Sequence, residues 1–325
     1  MIKFVLETHK HTLGFVLILI TALCLGTGPA VIKEVIVSLS PATQFALRFT
    51  IAAIILTPFV RNLNLNLLRD GAILGVLLFV IFATGTLGLE TAYANQASFI
   101  FGLNTIFVTL FELLFRKRLS IRMILAAILA FTGIGVMSWQ SGEALMGDFW
   151  LLASALSDAA YIIVLEIFSP HHSPIPLVTI QLWVVALLGI LWAAPEIIEN
   201  IEAIQTSLGL LIYLGVVATA LVILCQTLAQ QWTSAQDTAI FLALEPVFGA
   251  IFAFLLLGET FSTRSFIGAA MVLVGIILIL IRPKIDSSDS ALPQLQESTV
   301  TDVTVLKGEV LIGVLSTEGE IEKLV

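Results

Sequence analysis

The 325-residue chain is 58% hydrophobic and only 12% charged, against about 45–50% apolar and about 25% charged for a soluble domain. With a mean hydropathy of +1.06, this composition excludes an ordinary soluble domain and points to an integral membrane protein. The net charge of −8 comes largely from the C-terminal tail, where eight acidic residues and three lysines follow from Lys284 onward; with no basic face, nucleic-acid binding is excluded.

A helix needs about twenty apolar residues to cross a bilayer. Runs of that kind lie at 13–32, 41–60, 71–89, 94–115, 123–139, 149–168, 176–194, 207–228, 238–257 and 265–281, which makes ten candidate spans. The first has the basic start of a signal peptide (Lys3, Lys10) and a small-residue end at Gly28-Pro29-Ala30; the internal repeat described below requires it as a helix instead. Turn and charge residues separate the runs, among them Ser40-Pro41, Arg69-Asp70, Arg116-Lys117-Arg118, Ser169-Pro170 and Gly258-Glu259. Residues 283–325 form an acidic tail whose Asp286-Ser287-Ser288-Asp289-Ser290 reads as a disordered linker.

Lys and Arg set the orientation. With the N-terminus in the cytoplasm, the inner segments hold ten (Lys3, Lys10, Arg61, Arg69, Arg116, Lys117, Arg118, Arg122, Arg282, Lys284) and the outer loops two, Lys33 and Arg264. An even number of spans also places the C-terminus inside, giving a multi-pass protein of the plasma membrane with both termini cytoplasmic.

The chain reads as two halves. Shifted by 142, Ala97, Phe99, Ser120, Arg122, Gly133 and Ile134 fall on Ala239, Phe241, Ser262, Arg264, Gly275 and Ile276. Shifted by 133, Gly14, Ser40 and Pro41 fall on Gly147, Ser173 and Pro174. The expected organisation is a first five-helix repeat at 1–142, a second at 143–282 and the tail at 283–325. Five spans is an odd number, so the second repeat enters the membrane inverted. Inverted repeats place substrate sites near the midplane, between the halves. The fold class expected is therefore all-α integral membrane, with ten transmembrane helices as two inverted repeats.

The run Ala243-Leu244-Glu245-Pro246-Val247-Phe248, then Leu257-Gly258-Glu259, Ile267-Gly268-Ala269 and Gly275, with Ser40-Pro41 ahead of Arg48, carries a family likeness. On these residues the chain resembles the drug/metabolite transporter superfamily, of the ten-helix EamA type, over about residues 12–282. In the first half Asn104 stands where the family's proline would be, and Lys117 where its glutamate would be. The resemblance implies export or exchange of small metabolites, often coupled to a proton or a counter-substrate, without ATP.

Ionisable groups within spans mark function by default. Glu245 stands mid-span beside Pro246, which lacks an N–H and crowds the carbonyl of residue 242, so a kink with a freed acceptor is expected there. The carboxylate suits a substrate ammonium or an exchangeable proton; the structural alternative is a hydrogen bond to a neighbouring helix. Asp158 is a second mid-span acid, able to share substrate with Glu245 or to pair with Arg48. Arg48 is either an anchor for a substrate carboxylate or one half of an ion pair. Gln96 and Asn104 share one face of the fourth run, and Gln181 and Gln226 invite the same choice between substrate contact and interhelical hydrogen bonding. Gly26, Gly28 and Pro29 form a candidate helix break and hinge in the first run. Glu112 is expected to pair with Arg116, and Glu259 with Arg264.

Cys24 and Cys225 both lie in apolar runs and read as thiols. The four histidines lie outside every run and lack metal-ligand spacing, so no metal or cofactor is expected. HExxH, aspartate-rich pyrophosphate and Walker motifs are all missing, which argues against an enzyme or an ATP-driven pump. A non-catalytic sensor or interaction protein acting through the tail is the alternative to a transporter. Expected partners are a small-molecule substrate, a proton or counter-substrate, and the lipid bilayer; the sequence leaves a homodimer open.

Overall fold

Ser40 and Pro41 start a helix in the way their chemistry dictates. The Ser40 hydroxyl accepts from the Thr43 amide at 3.2 Å, and Pro41 takes a first-turn position, where its missing N–H costs nothing. Asn64 caps the next helix from the Leu67 amide at 2.7 Å, and Ser234 caps another from the Asp237 amide at 3.0 Å. In the computed structural model, which describes residues 2–61, 63–116, 121–138, 142–194 and 201–280, every regular element is helical.

The helices are α1 Ile2–Val35, α2 Pro41–Leu56, α3 Leu65–Thr91, α4 Ala94–Phe101, α5 Asn104–Arg116, α6 Ile121–Met137, α7 Gly142–Phe168, α8 Pro174–Ala193, α9 Ile201–Thr206, α10 Leu208–Gly215, α11 Val222–Ala229, α12 Ala235–Leu242, α13 Glu245–Leu257 and α14 Thr263–Leu280. A π-helical segment, Val216–Leu221, joins α10 to α11. Eight helical stretches among the described residues are long and apolar enough to cross a membrane. The fifth and tenth expected spans appear as the shorter apolar helices Ile124–Met137 and Thr263–Leu278. Apolar side chains such as Ile73, Ile128, Leu191 and Phe254 point outward, as an integral multi-pass membrane protein in lipid requires.

Relative helix directions follow from close approaches. A Cβ at Gly71 would meet Ile180 and one at Gly75 would meet Val184, so α3 and α8 run parallel. Gly85 backs onto Ser154 and Gly88 onto Leu151, so α3 and α7 run antiparallel. Both relations are those of alternately crossing helices.

Two crossings are reciprocal. Between α6 and α14, a Cβ at Gly133 would lie 2.7 Å from the Gly268 carbonyl oxygen, and one at Gly275 would lie 2.8 Å from that of Ala126. Positions 133 and 275, and likewise 126 and 268, are 142 apart. Elsewhere Gly14 backs onto Thr233 while Gly147 backs onto Thr91; 14 and 147 are 133 apart, 91 and 233 are 142 apart. A contact in which one surface meets its own counterpart in exchange is what a two-fold relation produces.

Two of the long helical stretches are broken. The α12–α13 break at Ala243-Leu244 precedes Pro246, which removes the donor to the Leu242 carbonyl. The α4–α5 break at Gly102-Leu103 has no proline of its own. Gly102 instead lies directly against the Pro246 ring, where a Cβ would collide with it. The two breaks therefore face each other. The stretch Ala94–Phe111 is 78% buried, against 33% for Ala235–Leu257, which puts the α4–α5 pair at the centre of the bundle. By contrast α1 runs through Pro29 without interruption, so the expected break there does not occur. The side chains of Glu112 and Arg116, together with Lys117 and residues 283–325, lie outside the described residues.

Candidate binding cavity

Glu245 is the first residue of α13, where the helix N-terminus favours a negative charge. Its side chain is 5% exposed and lines a cavity between the helices. No hydrogen bond or ion pair joins its carboxylate to another described side chain, so the group is buried in the protein yet unengaged. Asp158, half-buried on α7, faces the same cavity. One of its oxygens accepts from Asn104 Nδ2 at 2.6 Å. Asn104 is the first residue of α5, so each broken helix pair brings a polar residue to the site from its break.

Arg48 enters the cavity from α2 and is 2% exposed. Its Nε donates to Thr219 Oγ1 at 2.6 Å and its Nη2 points to the Ala218 carbonyl at 3.5 Å. Both partners belong to the π segment, whose irregular ladder turns backbone and hydroxyl groups toward the arginine. Gly215 allows this approach, since a Cβ there would lie 2.9 Å from the Arg48 carbonyl oxygen. The guanidinium carbon sits 5.0 Å from the Phe49 ring and 4.7 Å from the Phe82 ring, a cation–π setting that partly offsets its burial. Nη1 has no hydrogen-bond partner. The expected alternative of an ion pair to an acid of another helix is not formed; aromatic faces, a hydroxyl and a carbonyl hold the cation instead.

Gln226 on α11 also lines the cavity, and its Nε2 is buried without a partner. The cavity thus holds groups of both kinds. Arg48 and Gln226 present unused N–H donors, while Glu245 and Asp158 present carboxylate oxygens. Apolar side chains such as Ile81 and Phe101 complete the lining. Pro29 lines the cavity beside Gly28, where a Cβ would meet nothing.

Two sequence candidates lie elsewhere. Gln96 Nε2 donates to Asp148 Oδ1 at 2.7 Å and to Ser138 Oγ at 3.1 Å. Gln181 accepts from the Tyr161 hydroxyl at 2.9 Å behind the cavity wall. Both are buried and engaged with neighbouring helices, which is the interhelical bonding reading. Pro246 contributes through its ring against Gly102 rather than by lining the cavity.

Glu259 also departs from expectation. Its two carboxylate oxygens accept from the Ala94 and Asn95 amides at 3.0 and 2.9 Å, not from a neighbouring loop residue. Gly258, at φ 65°, makes the left-handed turn that aims it there. On the other side of the same turn, Lys33 of α1 donates to the Ala92 carbonyl and, at 3.2 Å, to that of Leu89. The α3–α4 turn is therefore gripped by an anion on its N–H groups and a cation on its carbonyls.

Sequence reasoning missed Ser154 and Tyr161, which line the cavity on either side of Asp158. Their spacing of four and three residues is a one-face helical pattern that was available to find them. Thr219 gave no such signal, because its role depends on the π segment. Both cysteines are free thiols, and among the described residues no group of three His, Cys, Asp or Glu is placed to hold a metal ion.

The sequence model of the EamA-like transporter family matches residues 12–139 and again 145–281. An uncharacterized transporter of Archaeoglobus fulgidus is 27% identical over 264 residues, which is 81% of this chain and 84% of that protein. The uncharacterized transporter YetK of Bacillus subtilis is 23% identical over 90% of this chain and 93% of its own. A solved crystal structure, 17% identical, superposes with a TM-score of 0.61 over 84% of this chain and 97% of its own, which establishes likeness of fold.

Proposed function

Because the chain belongs to the EamA-like transporter family, we propose that it is a secondary transporter that exports or exchanges a small metabolite by alternating access, with the cavity between Arg48, Gln226, Asp158 and Glu245 as its binding site. The observation that carries this reading is the set of groups lining one cavity: a guanidinium nitrogen and an amide donor without partners, and a buried carboxylate, Glu245, with no hydrogen bond to a described side chain. Buried polar groups are normally satisfied, and a bound substrate would satisfy these.

The arrangement suits a zwitterion of amino-acid type. Its carboxylate would take the Arg48 fork, which matches carboxylate geometry, and its ammonium would lie between Asp158 and Glu245. Glu245 is also the group that would exchange a proton as substrate enters and leaves. Reciprocal crossings at α6–α14 and around Gly14 and Gly147 support two inverted repeats, 1–142 and 143–282, with the two shorter apolar helices as spans five and ten. Facing breaks at Gly102 and Pro246 support a midplane site between the repeats. The charge distribution supports a plasma-membrane protein with both termini in the cytoplasm.

The test is counterflow in liposomes holding the purified protein, across a panel of labelled amino acids and organic cations, with and without a pH gradient. Uptake of amino acids is expected, lost in Glu245→Gln and in Arg48→Gln. No uptake of any compound by demonstrably folded protein would overturn the reading in favour of a sensor acting through the tail.

A further inference from the structure

Asp148 lies on α7 ten residues before Asp158, about 15 Å along the helix, and does not line the substrate cavity. It is 4% exposed. One oxygen accepts from Gln96 Nε2 at 2.7 Å. The other is buried and has no hydrogen-bond partner. Ser138, 3.1 Å from the same Gln96 nitrogen, donates its own hydroxyl proton to the Ile134 carbonyl at 2.9 Å. The Gln96 amide and the Ser138 hydroxyl, the two groups beside the carboxyl, are both neutral.

Among the described residues, the charged groups of the surrounding helices are committed elsewhere or exposed. Lys33 of α1 holds the Leu89 and Ala92 carbonyls. Glu259, ahead of α14, holds the backbone of α4. Glu90 at the end of α3 is exposed. The side chain of Glu143, on α7 itself, lies outside the described residues. A carboxylate removed from water with no counter-charge is costly, and binding a proton removes that cost. The ligand set does not favour a metal ion: Gln96 presents its N–H group, not its oxygen, toward the acid, and hard cations need a cage of oxygens.

We propose that Asp148 is a second proton-binding site, outside the substrate cavity, whose proton is held while the Ala94 end of α4 is docked and released when that end comes free. Gln96 is the third residue of α4, so the acid touches the segment directly. The same segment leads through Phe101 at the cavity wall to the break at Gly102. Loss of the proton leaves a buried charge faced by neutral groups, and displacing α4 lets water reach and relieve it.

The site is testable without any substrate, so a failure of counterflow leaves it standing. Infrared spectra of wild type and Asp148→Asn in lipid vesicles are expected to differ by a protonated carboxyl band at neutral pH that disappears on alkalinisation. Over the same change, amide exchange of residues 94–101, corrected for intrinsic base catalysis, is expected to rise in wild type and stay low in Asp148→Asn. Gln96→Leu, which keeps the acid and removes its donor, is expected to retain the band at a shifted frequency; it decides the matter if Asp148→Asn does not fold. Absence of the band from the wild-type difference spectrum would overturn the proposal. So would exchange that responds to sodium and not to pH, or that responds to pH equally in both proteins.

Discussion

Asn104 donates to Asp158 across 2.6 Å, and this bond ties the break in one helix pair to the wall of the cavity. The amide stands where the chain carries Pro246, 142 residues later, so the first half has a hydrogen-bond donor where the second has a ring. Replacing Asn104 by Leu should leave Asp158 without its donor, cost about 1–3 kcal/mol, and depress counterflow in folded protein. Thermal unfolding alongside transport separates the two effects: wild-type transport in Asn104→Leu would show that the bond has no part in binding.

Arg48 offers a second prediction. Its Nη1 is free while Nε and the ring faces fix its orientation. Arg48→Lys keeps the charge but loses the planar fork. Competition by carboxylate-bearing compounds should weaken by about ten- to a hundredfold, the equivalent of about 1.5–3 kcal/mol for a charged hydrogen bond. Amines lacking a carboxylate should compete as before. Equal weakening of both classes would remove the carboxylate from the Arg48 side of the cavity.

The contact between the two breaks is open to a double-mutant cycle. Gly102→Ala drives a methyl group into the Pro246 ring, an overpacking expected to cost about 1–3 kcal/mol. Pro246→Ala vacates the space, and in that background Gly102→Ala should cost much less. Unfolding midpoints of the four proteins in detergent give the coupling; simple additivity would argue that the helices do not meet there.

Glu259 makes two bonds to the start of α4. Gln in its place keeps one acceptor oxygen and turns an N–H group toward backbone donors, a loss comparable to that of a helix cap, about 0.5–2 kcal/mol. A cysteine placed at Tyr93, in protein lacking Cys24 and Cys225, should then react faster with a membrane-impermeant thiol reagent. An unchanged rate would mean that the grip of Glu259 does not limit the opening of this turn.

Much of this was legible in the sequence, and what was not has physical causes. The apolar runs gave the helices because bilayer crossing imposes length and composition directly. Glu245, Asp158, Arg48 and Gln226 could be picked out because ionised or amide groups at depth are costly and few. For Gln96 and Gln181 the sequence left substrate contact and interhelical bonding both open, for a different reason. Periodicity reports which face of its own helix a residue occupies, and the neighbour on that face is a matter of three-dimensional packing. The Glu259 grip on α4 spans 165 residues, and its neighbour in sequence, Arg264, was the wrong partner to expect. Pro29 shows that a proline costs a helix one hydrogen bond without obliging it to break, provided lateral packing holds the two ends in line.

The Pro246 ring against Gly102 also bears on how the protein is made. Residues 94–116 are synthesised long before Pro246, and of themselves they carry no proline to interrupt them. No proline of the first half accompanies the break at Gly102, and the ring that packs against it comes from the second half. A chain truncated before residue 246 would therefore lack the ring that packs against the break beside Asn104, so a truncated nascent chain is expected to hold residues 94–116 differently from the full protein.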